Sequence, residues 1–281
     1  MIGQDQSRTE TDQLRPVAGI VLDVDGTLLD PAHRLSPANV AAVARARAAG
    51  LHVLLASGRS ARALEGVVAA LELDGPLIAF NGALTFRSAD GAIEALDGTT
   101  LDRDVAADVL RLARAHGIEA GWFELDGWHV RSIGPGAVEE AMLTDEPPTE
   151  SPDLPDGAGP PYKLMCIAVT ADETAALHAL RDRLPDTVAA SFSHPRYLEV
   201  TAPGIDKAHA VRAAAARLGL APSDLAALGD AENDIAMLRE AGVGIAMGNA
   251  TDAVLAAAAH RTAANDRDGV ALAIDALLAA R

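Results

Sequence analysis

The sequence predicts an α/β protein: a parallel sheet covered by helices, interrupted by a smaller α+β segment and then completed. Two observations carry this. Short apolar runs of strand length alternate with alanine-rich helical segments at both ends of the chain, and strand–helix–strand alternation at this spacing means parallel pairing. Between them, paired strands joined by short turns replace the alternation, which is an antiparallel habit.

The elements follow in order. A flexible tail is expected over 1–15. Val17 to Leu22 is an apolar run stopped by the acidic turn Asp23-Val24-Asp25-Gly26. Ser36-Pro37 opens a helix that Gly50 closes, with serine as cap and proline in the first turn. A strand over 51–56 ends at Ser57-Gly58-Arg59, a helix follows over 60–71, and a third strand of the parallel sheet runs from Leu77 to Phe80 and ends at Asn81-Gly82. Runs at 83–86 and 92–96 read as a hairpin across Ser88-Ala89-Asp90-Gly91. A helix over 102–116, strands over 118–124 and 128–131 and a short helix over 136–142 come next. The run TDEPPTESPDLPDGAGPP at 144–161 is expected to form an irregular loop. Beyond it, a strand over 163–169, a helix over 172–184 and strands over 187–193 and 196–201 are predicted. From Asp206 the parallel pattern returns, with helices over 206–217, 231–239, 251–258 and 267–279 and strands over 225–228, 243–246 and 260–262. The expected domains are therefore 16–83 with 191–281, and an inserted unit at 84–190.

Composition narrows the function classes. The 281 residues hold 23 Lys and Arg against 40 Asp and Glu, a net charge of -17. Such a surface repels a phosphate backbone or an anionic membrane, so neither nucleic acid nor membrane is expected as a partner. A small anion can still bind where a local lysine or a helix N-terminus faces it. Cys166 is the sole cysteine and sits in an apolar run, which excludes an internal disulfide and predicts a buried strand position. No secretory signal and no membrane-length apolar run is visible, so a cytoplasmic protein is expected.

Three polar clusters fall at the ends of predicted strands, where α/β sheets bind ligands. Asp23 and Asp25 form a DxD pair. An isolated pair of this kind is usually a solvated turn, but DVDGTLL directly after VAGIVL is far more specific. Two close carboxylates repel unless a cation intervenes, and hard oxygen ligands favour Mg²⁺. Asp230, Asn233 and Asp234, in GDAEND, supply a second acidic cluster, and two such clusters point to a divalent-metal site. Ser57 and the amides beside it suit a phosphate oxygen, although a helix cap is the simpler role for one serine. Lys207 could balance a phosphate among these carboxylates.

Taken together, DVDGTL at 23–28, LASGR at 55–59, GIDK at 204–207 and GDAENDIAML at 229–238 resemble the haloacid dehalogenase superfamily of phosphatases, in its Cof-type branch with an α/β cap. GIAMGNA at 244–250, NDRDGV at 265–270 and Asn81-Gly82-Ala83 at the cap entrance also fit, so the resemblance runs from about residue 17 to the C-terminus. It implies a Rossmann-like three-layer parallel-sheet core with an inserted α+β cap of the C2B type. It further implies a Mg²⁺-dependent phosphatase of a small phosphorylated metabolite, with a sugar phosphate as the family-level substrate. Asp23 is then the aspartyl nucleophile and a metal ligand. Asp25 is the general acid/base and gives its backbone carbonyl to the metal. Asp230 and Asp234 complete the metal set. Ser57, Lys207 and Asn233 bind phosphate, and Thr27 is placed with them or as a residue steadying the nucleophile loop. Ser57 stands where many relatives carry threonine, and the hydroxyl is kept.

Trp128, His129, Lys163 and His194 are candidate substrate contacts in the inserted unit, with a core role the simpler reading for Trp122 and Trp128. A phosphomutase of the same fold is the nearest alternative and would need further basic residues there, where Lys163 is the single lysine of 84–190. A phosphometabolite-binding protein without turnover is the non-enzymatic alternative, disfavoured because the acidic and basic groups are all present. Oligomeric state is left open.

Overall fold

The computed structural model describes residues 14–89 and 92–281. The expected tail therefore lies outside the described residues except for Leu14 and Arg15, as do Asp90 and Gly91 of the expected hairpin turn. Arg15 is anchored: its guanidinium donates to the backbone carbonyls of Gly242, at 3.1 Å, and Ser223.

Along the chain the elements are β1 (Gly19–Leu22), α1 (Pro37–Ala48), β2 (His52–Leu55), α2 (Ala61–Ala70), β3 (Leu77–Ala79), β4 (Leu84–Ala89), β5 (Ala92–Gly98), α3 (Arg103–Ala115), β6 (Glu119–Phe123), β7 (Trp128–Val130), α4 (Pro135–Thr144), β8 (Thr149–Glu150), β9 (Lys163–Ile167), α5 (Ala171–Arg181), β10 (Ala189–His194), β11 (Tyr197–Thr201), α6 (Lys207–Arg217), β12 (Leu225–Gly229), α7 (Ile235–Glu240), β13 (Val243–Ala246), α8 (Asp252–Ala257), β14 (His260–Arg261) and α9 (Gly269–Ala279). Local chemistry accounts for the helix starts. Ser36, Ser60, Asp102, Thr170 and Asp206 each accept a backbone N–H of their helix's first turn, which satisfies donors that the helix cannot pair internally.

The described residues divide into two compact units, 14–55 with Gly219–Arg281, and Ala56–Leu218. The first holds a five-stranded sheet in the order β14-β13-β12-β1-β2, with every pairing parallel. Strands β1, β12 and β13 are buried along their whole length, as their uninterrupted apolar sequences require. Helices α1 and α9 pack together, and α7 lies against β12 and β13. This parallel sheet is the core of an α/β fold.

The second unit holds a six-stranded sheet in the order β10-β11-β9-β6-β7-β8 and a three-stranded sheet β3-β4-β5. Alternate residues of β6, β9 and β11 (Ala120, Trp122, Leu164, Cys166, Leu198, Val200) join Val109, Leu110, Leu177 and Leu180 of α3 and α5 in one buried apolar cluster. Cys166 is the buried strand residue expected, and burial pushes its thiol up to about 12.

Three expectations change. β3 pairs antiparallel with β4, and its parallel link is a single bridge from Ile78 to Ala56; the turn over Phe80–Gly82 sends the chain straight back along β3. The division at 190/191 cuts through β10, whose hydrogen bonds to β11 carry the antiparallel sheet to Thr201. Residues 56–83 also cluster with this second unit, since α2, β3 and α6 pack against β4. Finally, the proline-rich segment is not wholly irregular. Thr149–Glu150 pairs parallel with β7, and Leu154, 1% exposed, belongs to the apolar cluster.

Leu154 thus anchors a segment that its composition marks as loop. Leu154→Ala is expected to destabilise the protein by about 2–4 kcal/mol, the usual range for deleting a buried leucine, read as a lower urea midpoint. A midpoint unchanged from wild type would show that the segment carries no packing load.

Candidate active site

In the first unit the site is built at the ends of β1 and β12. These strands are neighbours in register, Leu22 opposite Leu228, so the residues just beyond them meet although they are distant in sequence. The N–H of Asp23 donates to the Leu228 carbonyl at 3.1 Å. Asp23, Asp230 and Asp234 each present a carboxylate oxygen, all within 4.8 Å of one another. Asp23 is 4% exposed and Asp234 fully buried.

The surrounding groups hold this cluster in place. One Asp234 oxygen accepts the N–H groups of Asp230 and Ala231, each at 3.0 Å. The Thr27 hydroxyl donates to Asp230 Oδ1 at 2.8 Å. Its proton is therefore committed to a carboxylate, which favours the loop-steadying role over contact with a phosphate. Asn249 donates to the Gly26 carbonyl at 2.8 Å and lies 3.4 Å from Asp230 Oδ2. Gly26 has φ +79, and a Cβ there would sit 2.3 Å from Asp230 Oδ2, so only glycine lets the turn close over the carboxylate. Two buried asparagines fix the far side of the turn: Asn39 donates to the Leu28 carbonyl at 2.9 Å and Asn265 to that of Leu29 at 2.7 Å.

Two full charges about 4 Å apart repel by about 4 kcal/mol at an effective dielectric of about 20. A divalent cation removes that term, and an all-oxygen donor set suits Mg²⁺ or a similarly hard ion. The residues present therefore fit a metal site.

Asp25 is not part of this carboxylate group. Its side chain is 40% exposed and its Oδ1 lies 3.1 Å from His33 Nδ1. His33 has φ +55 and is held by the Asp30 loop. The Asp30 carboxylate accepts the N–H groups of Ala32 and Arg34 at 2.8 and 2.9 Å and pairs with the Arg34 guanidinium, which holds its carboxyl below the usual range. Sequence reasoning missed His33 and Asn249. Asn249 carried a signal in the GIAMGNA run; His33 sits in a loop with none.

In the second unit, Ser57, Asn81 and Lys207 are all buried. The Ser57 N–H donates to the Ile78 carbonyl at 3.0 Å, and its carbonyl accepts the Asn81 N–H at 2.9 Å. The Arg59 N–H donates to Ser57 Oγ at 3.1 Å. Lys207 opens α6, directly after its cap Asp206. Trp128 is buried, stacked on Phe123 with ring centres 4.9 Å apart, its N–H on the Glu146 carbonyl. His129 lies 3.1 Å from the Ser151 hydroxyl, and His194 is exposed.

The sequence matches the haloacid dehalogenase-like hydrolase family over residues 20–274. The chain belongs to this family. Among the haloacid dehalogenase-like hydrolases it is 29% identical to the HMP-PP phosphatase of Shigella flexneri, over 86% of this chain and 88% of that one. It is 27% identical to the 5-amino-6-(5-phospho-D-ribitylamino)uracil phosphatase YitU of Bacillus subtilis, over 90% and 94% of the two chains. A crystal structure of a haloacid dehalogenase-like hydrolase from Bacteroides thetaiotaomicron superposes with a TM-score of 0.80 at 29% identity, covering 92% of this chain and 98% of that one. Among the described residues, no helix is long and apolar enough to cross a membrane.

The carboxylate cluster makes a direct prediction. Asp230→Asn is expected to weaken Mg²⁺ binding at least about tenfold, since it removes one charged ligand. Thr27→Val, which only frees Asp230 to move, is expected to weaken it less. Calorimetric titration of the purified protein checks both; unchanged affinity in Asp230→Asn would remove the cluster as the metal site.

Proposed function

We propose that this chain is a Mg²⁺-dependent phosphatase that hydrolyses the monoester of a small phosphorylated metabolite, with a sugar phosphate as the favoured class. The observation that carries the reading is the convergence of Asp23, Asp230 and Asp234 in a turn that only glycine at position 26 can close. The names of the relatives support phosphate release as the shared reaction, because both are called phosphatases and name different phosphorylated molecules.

Asp23, Asp230, Asp234 and the backbone carbonyl of Asp25 would hold the metal. When bound, Mg²⁺ supplies the positive charge that lets carboxylates and a phosphate dianion share one site. The Asp23 carboxylate attacks phosphorus, the bond to the leaving oxygen breaks, and Asp25 gives that oxygen its proton. Asp25 then takes a proton from water, which attacks the aspartyl-phosphate at phosphorus, releasing phosphate and restoring Asp23. Ser57, Lys207 and Asn233 are assigned to the phosphoryl oxygens. His33 orients the Asp25 carboxylate for its proton transfers.

The leaving group is assigned to the antiparallel unit, which we take as the cap. A phosphomutase would need free basic side chains there for a second phosphate. Lys163 does not supply one, because its ammonium is buried between Glu199 and the Gly58 carbonyl.

The test is phosphate release from a panel of hexose and pentose phosphates, glycerol phosphate, nucleotides and pyridoxal phosphate, with Mg²⁺ and with chelator. Release is expected only with metal, and Asp23→Asn is expected to lower kcat by at least about a thousandfold, the scale for losing a nucleophile. Asp25→Asn is expected to be similarly impaired in turnover, and to form the phospho-enzyme only from a monoester with a good leaving group. Metal-independent release, or an Asp23→Asn variant near wild type, would overturn the assignment.

A further inference from the structure

Lys163 and Glu199 form a buried ion pair in the second unit, 2% and 4% exposed. They lie on the face of the six-stranded sheet opposite the apolar cluster, because β9 and β11 are paired with Glu199 opposite Met165, two residues along from Lys163. Lys163 Nζ donates to Glu199 Oε2 at 2.7 Å and to the Gly58 carbonyl at 2.6 Å, and sits 4.7 Å from the centre of the Phe123 ring. Buried pairs of this kind are poor stabilisers, since desolvation offsets their attraction and apolar residues of similar shape often do as well. Here the third partner, a loop carbonyl beside Ser57, gives the pair a use that apolar residues could not supply.

The Gly58–Arg59 peptide connects the pair to Ser57. Its carbonyl is fixed by Lys163, and because a trans peptide is planar, its N–H, that of Arg59, is fixed on the opposite side. That N–H donates to Ser57 Oγ. A hydroxyl that accepts a hydrogen bond keeps its own proton to donate elsewhere. Three other backbone groups of the loop are also held: the Ser57 N–H and carbonyl by Ile78 and Asn81, and the Arg59 carbonyl by the Phe80 N–H at 2.9 Å. A Cβ at 58 would meet Glu199 Oε1 at 2.6 Å and Asn81 Oδ1 at 3.2 Å, so a side chain there would push the Glu199 carboxylate away from the loop.

We propose that the Lys163–Glu199 pair is a positioning device for the phosphate-binding loop: it sets the Gly58–Arg59 peptide and, through it, the direction in which the Ser57 hydroxyl donates. Lys163 is thus a positioning residue rather than a substrate contact. The inference rests on the assignment of Ser57 to a phosphoryl oxygen.

The test is a kinetic double-mutant cycle on the full chain. Lys163→Met/Glu199→Gln removes the pair without leaving a buried charge, and is made alone and combined with Ser57→Ala. The readouts are kcat, KM and competitive inhibition by inorganic phosphate, using the best substrate of the panel. Removing the pair is expected to raise KM and the phosphate inhibition constant about tenfold, the scale of one oriented hydrogen bond to a charged group. In the Ser57→Ala background the same change is expected to cost less than about twofold, because the two act on one interaction. Mg²⁺ affinity is expected to stay at wild type. Gly58→Ala, which displaces Glu199 from the loop side, should give the same pattern and decides the matter if the pair variant does not fold. Equal losses in both backgrounds, or none in either, would overturn the inference while leaving the phosphatase reading intact. A wild type that releases no phosphate from any monoester would overturn that reading, and this inference with it.

Discussion

The structure depends on a repulsion. Asp23, Asp230 and Asp234 bring three carboxylates within 4.8 Å in a largely buried place, an arrangement that folding alone would disfavour. Parallel pairing of β1 with β12 forces the encounter, because it places the ends of two apolar strands side by side and the acidic turns follow directly. Thr27, Asn249 and the amides of Asp230 and Ala231 then hold the carboxylates in place with neutral dipoles. Three carboxylate oxygens held this close form an all-oxygen donor set of the kind that suits a hard divalent cation.

The second unit treats charge in the same way. Lys163 and Glu199 are removed from water on a sheet whose opposite face is an ordinary apolar core. Their attachment to the Gly58 carbonyl makes the sheet a support for the Ser57 loop, and the stacked Phe123 and Trp128 wall the same region. With aromatic residues only 3% of the chain, this concentration is a local investment in rigidity. In both units a glycine sits close against a carboxylate, Gly26 against Asp230 and Gly58 against Glu199.

Much of this was legible in the sequence. Strands β1, β12 and β13 announce themselves as apolar runs bounded by acidic or glycine turns, and Ser36-Pro37 and Asp206 mark helix starts by chemistry that acts within four residues. Asp23 and Asp230 could be named because each follows such a strand directly, and Asp234 because it lies four residues beyond Asp230 in the same acidic run. What could not be read depends on contacts made across the fold. β3 ends in an apolar run like its neighbours, yet the turn at Phe80–Gly82 pairs it antiparallel. Leu154 sits in a proline-rich stretch whose composition masks a core residue. Lys163 read as a substrate contact because a lone lysine among apolar residues carries no sign of its partner, Glu199. His33 reaches Asp25 only because the Asp30–Arg34 loop folds back.

The proposed role of Asp23 is that of the nucleophile that accepts the phosphoryl group, and trapping its phosphorylated form tests this most directly. Asp25→Asn, which retains the nucleophile and loses the group that activates water, is mixed with a monoester of good leaving group and Mg²⁺, quenched in acid, digested and weighed by mass spectrometry. One added phosphoryl group on the peptide containing Asp23, absent in Asp23→Asn/Asp25→Asn and absent without metal, is the result the account predicts. Phosphate released with no phosphorylated Asp23 peptide at any quench time, or a phosphoryl group on another residue, would contradict it.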